Sequence, residues 1–206
     1  VFKDSIREEK PIQAVIHFAG LKSVSESISK PLEYWDVNVC GTNNILNIMN
    51  SNECYSIVFS SSATVYGLSD SIPITEEVKV SPFNTYGVTK VAIENMLKDL
   101  YLSKSKLWKI SSLRYFNPVG AHFSGLIGED PKGEPNNLFP YITQVAIRKR
   151  QLLTVFGDDW DTNDGSGVRD YIHVMDLAEG HLACMKYLLP QKMCYENINL
   201  GSGIGY

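Results

Sequence analysis

Short runs of apolar, β-branched and aromatic residues alternate along this chain with longer stretches whose apolar positions recur every three or four residues. The first kind falls at residues 14–19, 56–60, 109–114, 152–156 and 197–200. Runs of that length and composition read as buried strands. The second kind covers residues 31–50, 86–100, 138–149 and 173–188 and predicts four helices. In the second of these, Val88, Val91, Ala92, Met96, Leu97 and Leu100 repeat at helical spacing after Tyr86. Pro31 suits a helix start, because its ring presets the helical φ where no N–H donor is needed. Strands alternating with helices predict a parallel sheet covered on both faces, a doubly wound α/β fold. Residues 122–137 carry three Gly and two Pro and read as a long loop, of the kind that often holds function.

Composition narrows the function classes. The 206 residues are 44% hydrophobic and 20% charged, enough for a soluble globular domain with a real core. Net charge is −4, and no basic block interleaves with aromatics, so a nucleic-acid surface is not expected. No apolar run approaches the ~20 residues that span a bilayer, so no membrane partner is expected. Cys40, Cys54, Cys184 and Cys194 are scattered without a Cys-x-x-Cys, which reads as reduced thiols in a cytoplasmic protein. The histidines lack ligand spacing, so no metal site is predicted, and His17 and His173 read as structural. The chain opens on Val1 and stops inside a Gly-rich turn at Tyr206, and reads as an internal piece of a longer protein.

The candidate chemistry centres on Asn-Thr-Tyr86-Gly-Val-Thr-Lys90, with Ser60-Ser61-Ser62 one strand-to-helix unit upstream. Positions i and i+4 share a helix face, so the Lys90 ammonium is expected close to the Tyr86 phenol, favouring its ionised form. A phenolate so placed can take a proton from a carbinol while a nicotinamide takes the hydride. A doubly wound dinucleotide fold normally announces itself with a Gly-rich turn after its first strand, and no such motif is present. Gly201-Ser-Gly-Ile-Gly follows a late strand instead and reads as a turn.

The setting of the Tyr–Lys pair is more specific than the pair. Val15-Ile-His-Phe-Ala-Gly-Leu-Lys22 and Phe59-Ser-Ser-Ser-Ala-Thr-Val-Tyr-Gly67 each end a predicted strand. Leu113-Arg-Tyr-Phe-Asn-Pro-Val-Gly-Ala-His122, Pro135-Asn-Asn-Leu138 and Gly167-Val-Arg-Asp-Tyr-Ile-His-Val174 follow in order. Together these segments resemble the UDP-glucose 4-epimerase (UDP-galactose 4-epimerase) family of extended short-chain dehydrogenase/reductases, from about Val15 to Tyr206.

That resemblance implies a Rossmann-like NAD-binding part over residues 1–120, lacking its first strand and Gly-rich turn. Residues 121–206 would then be the start of a smaller region that contributes nucleotide-sugar binding. The implied reaction is NAD-dependent epimerisation at C4 of UDP-glucose and UDP-galactose through a 4-keto intermediate, in galactose metabolism. Tyr86 is the implied base, Lys90 lowers its pKa and bonds the nicotinamide ribose, and Ser62 bonds the 4′-oxygen with Thr64 close by. Phe18, Ala19, Gly20, Lys22, Asn38, Ser60 and Phe116 would line the cofactor together with Tyr86 and Lys90. Asn117, Asn137, Leu138, Phe156 and Arg169 would hold the UDP-sugar beside Lys22, Ser62 and Tyr86, with Arg169 against the diphosphate. The resemblance also implies a homodimer built from two helices of each subunit, residues 31–50 and the helix of Tyr86.

Other readings stand beside these. Arg169 next to Asp170 also fits a surface ion pair, Phe156 fits a core position, and Glu129-Asp130 fits a loop-structuring role. Within the same superfamily a nucleotide-sugar 4,6-dehydratase or decarboxylase is the nearest rival. Elimination calls for an acid–base carboxylate pair, and Thr64 is followed by Val65-Tyr66-Gly67 with none. A non-catalytic NAD-binding regulator is the rival of another class.

Overall fold

The computed structural model describes residues 1–69, 71–103 and 107–206. They form two compact units, Val1–Tyr115 with Glu179–Leu200, and Phe116–Ala178 with Gly201–Tyr206.

The first unit is built on a four-stranded parallel sheet, β1 (Val15–His17), β2 (Ser56–Ser60), β3 (Lys109–Tyr115) and β6 (Cys194–Leu200), in the order β1-β2-β3-β6. Every pair is parallel, so all four strands end at one carboxyl edge. The five residues of β2 are all buried, as a strand covered on both faces requires. On one face, Ile57, Phe59 and Ile110 pack with Leu46 and Met49 of α4 (Gly41–Ser51) and with Ile93 and Leu97 of α5 (Thr85–Ser103). On the other, Val58 and Leu113 pack with Cys184 and Leu188 of α7 (Val174–Leu188). Helices on both faces of a parallel sheet make the doubly wound architecture that the alternating pattern predicts.

The predicted helix over residues 31–50 is continuous but not uniform. It begins as α3 (Pro31–Tyr34), widens into a π-helical stretch at Trp35–Cys40 and resumes as α4. Short π-helical stretches inside α-helices recur at functional sites, and Asn38, 2% exposed, lies on this one. Two short helices absent from the pattern, α1 (Phe2–Arg7) and α2 (Val24–Ser29), precede it. Helix α5 starts where Asn84 accepts a hydrogen bond from the Gly87 N–H at 2.8 Å, the N-cap arrangement.

The second unit holds α6 (Leu138–Ala146) and a two-stranded parallel sheet of β4 (Asn117–Val119) and β5 (Tyr171–His173). Neither three-residue strand is long enough to show a period. The strand predicted at residues 152–156 does not form: the segment is irregular, and Leu152, Val155 and Phe156 are exposed. β-branched side chains favour a strand only where another strand accepts its hydrogen bonds, and none of the described strands does.

Gly87 shows how closely α5 approaches the 3₁₀ turn Ala63–Tyr66. A Cβ there would lie 2.9 Å from Pro82 Cβ and 3.0 Å from the Thr64 carbonyl oxygen. Alanine is ordinarily preferred over glycine inside a helix by about 1 kcal/mol. At this site the clash with a ring and a backbone oxygen reverses the sign, so Gly87→Ala is expected to lower the thermal midpoint by several degrees. A midpoint that rises would show the packing to be looser than described.

Candidate active site

Three consecutive serines at the end of β2 each meet a different group. The Ser60 carbonyl accepts a hydrogen bond from Lys90 Nζ at 2.8 Å, while its hydroxyl donates to the Tyr115 hydroxyl at 3.0 Å. The Ser61 hydroxyl donates to Glu94 Oε1 at 2.6 Å, and its N–H donates to the Leu113 carbonyl. The Ser62 hydroxyl lies 2.9 Å from Thr64 Oγ1, accepts from the Thr64 N–H, and is within hydrogen-bond reach of the Tyr86 phenol. The fold therefore gathers Tyr86, Lys90, Ser60, Ser62 and Thr64 at the carboxyl edge of the sheet, where open α/β folds bind ligands.

Electrostatics depart from the simple expectation. Tyr86 and Lys90 do share a face of α5, yet the ammonium bonds the Ser60 carbonyl and sits 4.8 Å over the Phe59 ring, 5.6 Å from the centre of the Tyr86 ring. The phenol is pushed above its ordinary range rather than below it. Burial is the main cause, Tyr115 adds to it, and the Ser62 hydrogen bond opposes. With Tyr86 only 6% exposed, losing water costs the phenolate more than an ammonium not bonded to it returns. Lys90 is lowered to about 8 by burial, with the Glu94 carboxylate opposing the shift.

Sequence reasoning passed over the groups beneath these residues. Glu94 receives Arg114 Nε at 3.0 Å and Nη2 at 2.7 Å, and Arg114 Nη1 donates to the Tyr66 hydroxyl at 3.1 Å. Tyr66 in turn donates to Asn199 Oδ1 at 2.6 Å. One signal was available: Glu94 stands four residues after Lys90, one turn along the same face.

The loop after β1 carries Phe18, Ala19, Gly20 and Lys22, all exposed at the same edge. Asn38 fixes it, accepting from the Leu21 N–H at 2.7 Å and donating to the Leu21 carbonyl at 3.1 Å and to Thr89 Oγ1 at 3.3 Å. Gly20 has φ +155, and a Cβ there would stand 3.0 Å from Asn38 Oδ1, so the backbone lies open against Asn38. An exposed aromatic ring, bare backbone and a buried ammonium at one strand edge fit a dinucleotide. His17 is structural: buried, 2.8 Å from Thr42 Oγ1, and held to about 4 by burial and then by the Lys90 charge, hence neutral.

The second unit has a shallow cleft of about 200 Å³ lined by Asn117, Asn137, Leu138, Arg169 and Tyr171. Four of the residues assigned to the sugar nucleotide thus come together within that unit. Asn137 Nδ2 donates to Glu129 Oε1 at 3.0 Å, so Glu129 does structure the loop. Phe156 is 91% exposed and does not line the cleft. Phe116 packs near Gly201, where a Cβ would stand 2.8 Å from its ring. The ion pair of Arg169 with Asp170 is not formed. Arg169 Nη1 donates to the Val168 carbonyl at 2.7 Å, and Asp170 uses both carboxylate oxygens on the Gly-rich turn, accepting from Ser202 N, Ser202 Oγ and Gly203 N at 2.8–2.9 Å. Gly201-Ser-Gly is a turn, as its place after a late strand predicts, and Asp170 is what holds it.

Known proteins resemble this chain over nearly its whole length. Residues 2–201 match the model of the NAD dependent epimerase/dehydratase family. UDP-glucose 4-epimerase 2 of Arabidopsis thaliana is 55% identical over 202 residues, covering 98% of this chain and 57% of the relative. A solved UDP-glucose 4-epimerase from Bifidobacterium longum, in complex with NAD+ and UDP, is 49% identical with a TM-score of 0.91, over 99% of this chain and 60% of that one. Another, from Stenotrophomonas maltophila with bound NAD and formylated UDP-arabinopyranose, is 47% identical with a TM-score of 0.92, over 98% and 60%. The chain thus spans little more than half the length of the relatives it matches. With a family model matched over nearly all its residues, the chain belongs to the NAD dependent epimerase/dehydratase family.

Proposed function

We propose that this chain is the part of a UDP-glucose 4-epimerase that holds NAD and carries the proton chemistry, interconverting UDP-glucose and UDP-galactose in galactose metabolism. The observation that carries the reading is the gathering of Tyr86, Ser62 and the buried Lys90 ammonium at the carboxyl edge of the sheet. A UDP-glucose 4-epimerase at 55% identity, and a solved UDP-glucose 4-epimerase holding NAD+ and UDP, support it. Residues 1–120 would hold the cofactor, through Phe18, Ala19, Gly20, Lys22, Ser60 and Phe116, with Asn38 positioning the loop. Residues 121–206 would contribute to the sugar nucleotide.

When bound, NAD would supply the acceptor for the hydride from C4 of the sugar, the donor for its return to the other face of the 4-ketone, and a positive charge while it is oxidised. Everything else falls to the protein. Tyr86 takes the proton of the 4′-hydroxyl and later gives it back, a general base within hydrogen-bond reach of the reacting oxygen. Ser62 donates to that oxygen and keeps Thr64 in place. Lys90 supplies a cation next to the phenol, and its attachment to the Ser60 carbonyl fixes where that charge stands. Asn117, Asn137 and Leu138 shape the nucleotide-sugar cleft, and Arg169 offers a planar fork to the diphosphate. Phe156 would join them only as an exposed stacking surface.

The reading extends to assembly and compartment. Leu32, Val37, Ile48 and Val88, on α3, the π-helical stretch, α4 and α5, leave apolar surface exposed, which supports a homodimer through these helices. All four cysteines are free thiols, in keeping with a reducing cytoplasm.

The full-length protein, incubated with UDP-galactose, is expected to yield UDP-glucose; no conversion would end the epimerase reading. Tyr86→Phe should cut kcat by roughly 10²–10⁴ while the bound cofactor is retained. An unchanged rate would remove Tyr86 from the chemistry. Arg169→Ala should raise KM for the UDP-sugar by about tenfold or more with kcat little altered, as loss of a charge-assisted phosphate contact does. An unaltered KM would place the diphosphate elsewhere.

A further inference from the structure

A charged pair buried this deeply calls for a reason. Glu94 and Arg114 have side chains 5% and 4% exposed, and their guanidinium–carboxylate contact is bidentate. Replacing such a pair with well-packed apolar residues is often neutral or stabilising, so stability alone does not account for it. The place of the carboxylate is more telling. Oε1 carries a second bond, the 2.6 Å contact from Ser61, the middle serine between the one that holds Lys90 and the one that reaches Tyr86. Glu94 is also one helical turn from Lys90.

We propose that Glu94, locked by Arg114, is a positioning residue: it tethers the strand end so that Ser60 and Ser62 meet Lys90 and Tyr86, and it supplies a negative charge to the Lys90 ammonium from one turn along α5. The proposal rests on the reading of Tyr86 and Lys90 as the catalytic pair.

The groups around the ammonium bear this out. From β1 comes His17, neutral through burial and then the Lys90 charge. From β2 come the Ser60 carbonyl and the Phe59 ring. Tyr86 and Glu94 stand on its own helix, Tyr115 of β3 has its hydroxyl on Ser60, Tyr34 of α3 has its hydroxyl on Ser23 and Glu26, and Arg114 of β3 is bound to Glu94. Glu94 is the carboxylate in this set that acts on Lys90. Burial brings Lys90 to about 8, within reach of working pH, so a neighbouring anion decides how much ammonium survives there. Removing that anion disfavours the charged form, so the Lys90 midpoint moves down.

The test uses the full-length enzyme and separates charge from tether. Glu94→Gln keeps an amide oxygen for Ser61 and removes the charge, and Ser61→Ala removes the tether and keeps the charge. The double variant E94Q/R114M discharges both buried groups, in case the single variant, with a neutral amide facing an unpaired Arg114, does not fold. Lys90 is titrated by NMR of ¹³Cε-labelled lysine, its signal assigned by loss in Lys90→Arg, and kcat and KM are measured against pH. In Glu94→Gln the Lys90 midpoint, and the alkaline limb of kcat with it, should fall by about one pH unit, a tenfold change in the ionisation constant. The double variant should move the same way by less. Ser61→Ala should leave the midpoint in place and lower kcat by about tenfold with KM unchanged, the mark of lost alignment. An unmoved Lys90 midpoint in folded Glu94→Gln, or in the double variant if the single one does not fold, overturns the counter-charge role. A wild-type kcat in Ser61→Ala overturns the tether. Absence of epimerase turnover in the parent enzyme, with the midpoint still falling, would sink the functional reading and leave the charge coupling standing.

Discussion

One ammonium organises the first unit. Lys90 is 5% exposed, and an unpaired charge at that depth would cost several kcal/mol. It is tolerated because the Ser60 carbonyl accepts its hydrogen bond at 2.8 Å, the Phe59 ring offers its π face, and a carboxylate stands one turn away. The first two of those partners lie on β2, which the ammonium thereby ties to its helix. The bond to Ser60 fastens α5 to the end of β2, which brings Tyr86 over Ser62. Arg114 on β3 fastens the same helix through Glu94. The sheet edge and the helix are thus joined by charge-assisted contacts on top of the apolar packing of Ile57, Phe59, Ile93 and Leu97.

The same burial that makes the ammonium a fastener makes the phenol hard to ionise. Desolvation raises Tyr86 and lowers Lys90 together, because each loses the water that favoured its charged form. Two opposite shifts in one cleft push the titrations of the two groups apart, a pattern common at catalytic sites. What sets the balance is which charges stand close. Positive charge beside the phenol brings it down, and the Glu94 carboxylate holds the ammonium up. The second unit solves a different problem: Asp170 spends its carboxylate on the backbone of the Gly-rich turn, which leaves the Arg169 guanidinium to a single carbonyl contact and hence available to an anion.

Four strands of the sheet and the helix of Tyr86 were legible because the strands are short runs carrying β-branched and aromatic residues and because apolar residues recur every three or four positions along α5. The misses have physical causes. The segment at residues 152–156 has strand composition but no strand beside it, and composition carries no information on pairing. Strands β4 and β5 are three residues each, one with a proline inside. The π-helical widening at Trp35–Cys40 leaves no mark in the hydrophobic pattern, since it shifts hydrogen bonds by one residue while the apolar face continues.

Sequence by itself determined the layered α/β class and the chemistry-bearing side chains, because side-chain type and local spacing are properties of the chain alone. It could place Lys90 on the face of Tyr86. Only the tertiary structure decided that the ammonium turns to the Ser60 carbonyl, that burial drives the phenol up rather than down, and that Glu94, Arg114 and Ser61 stand beneath them. Those facts depend on water excluded and on partners 20 to 33 residues away in the chain, such as Arg114 and Ser61 around Glu94. No local pattern encodes that exclusion.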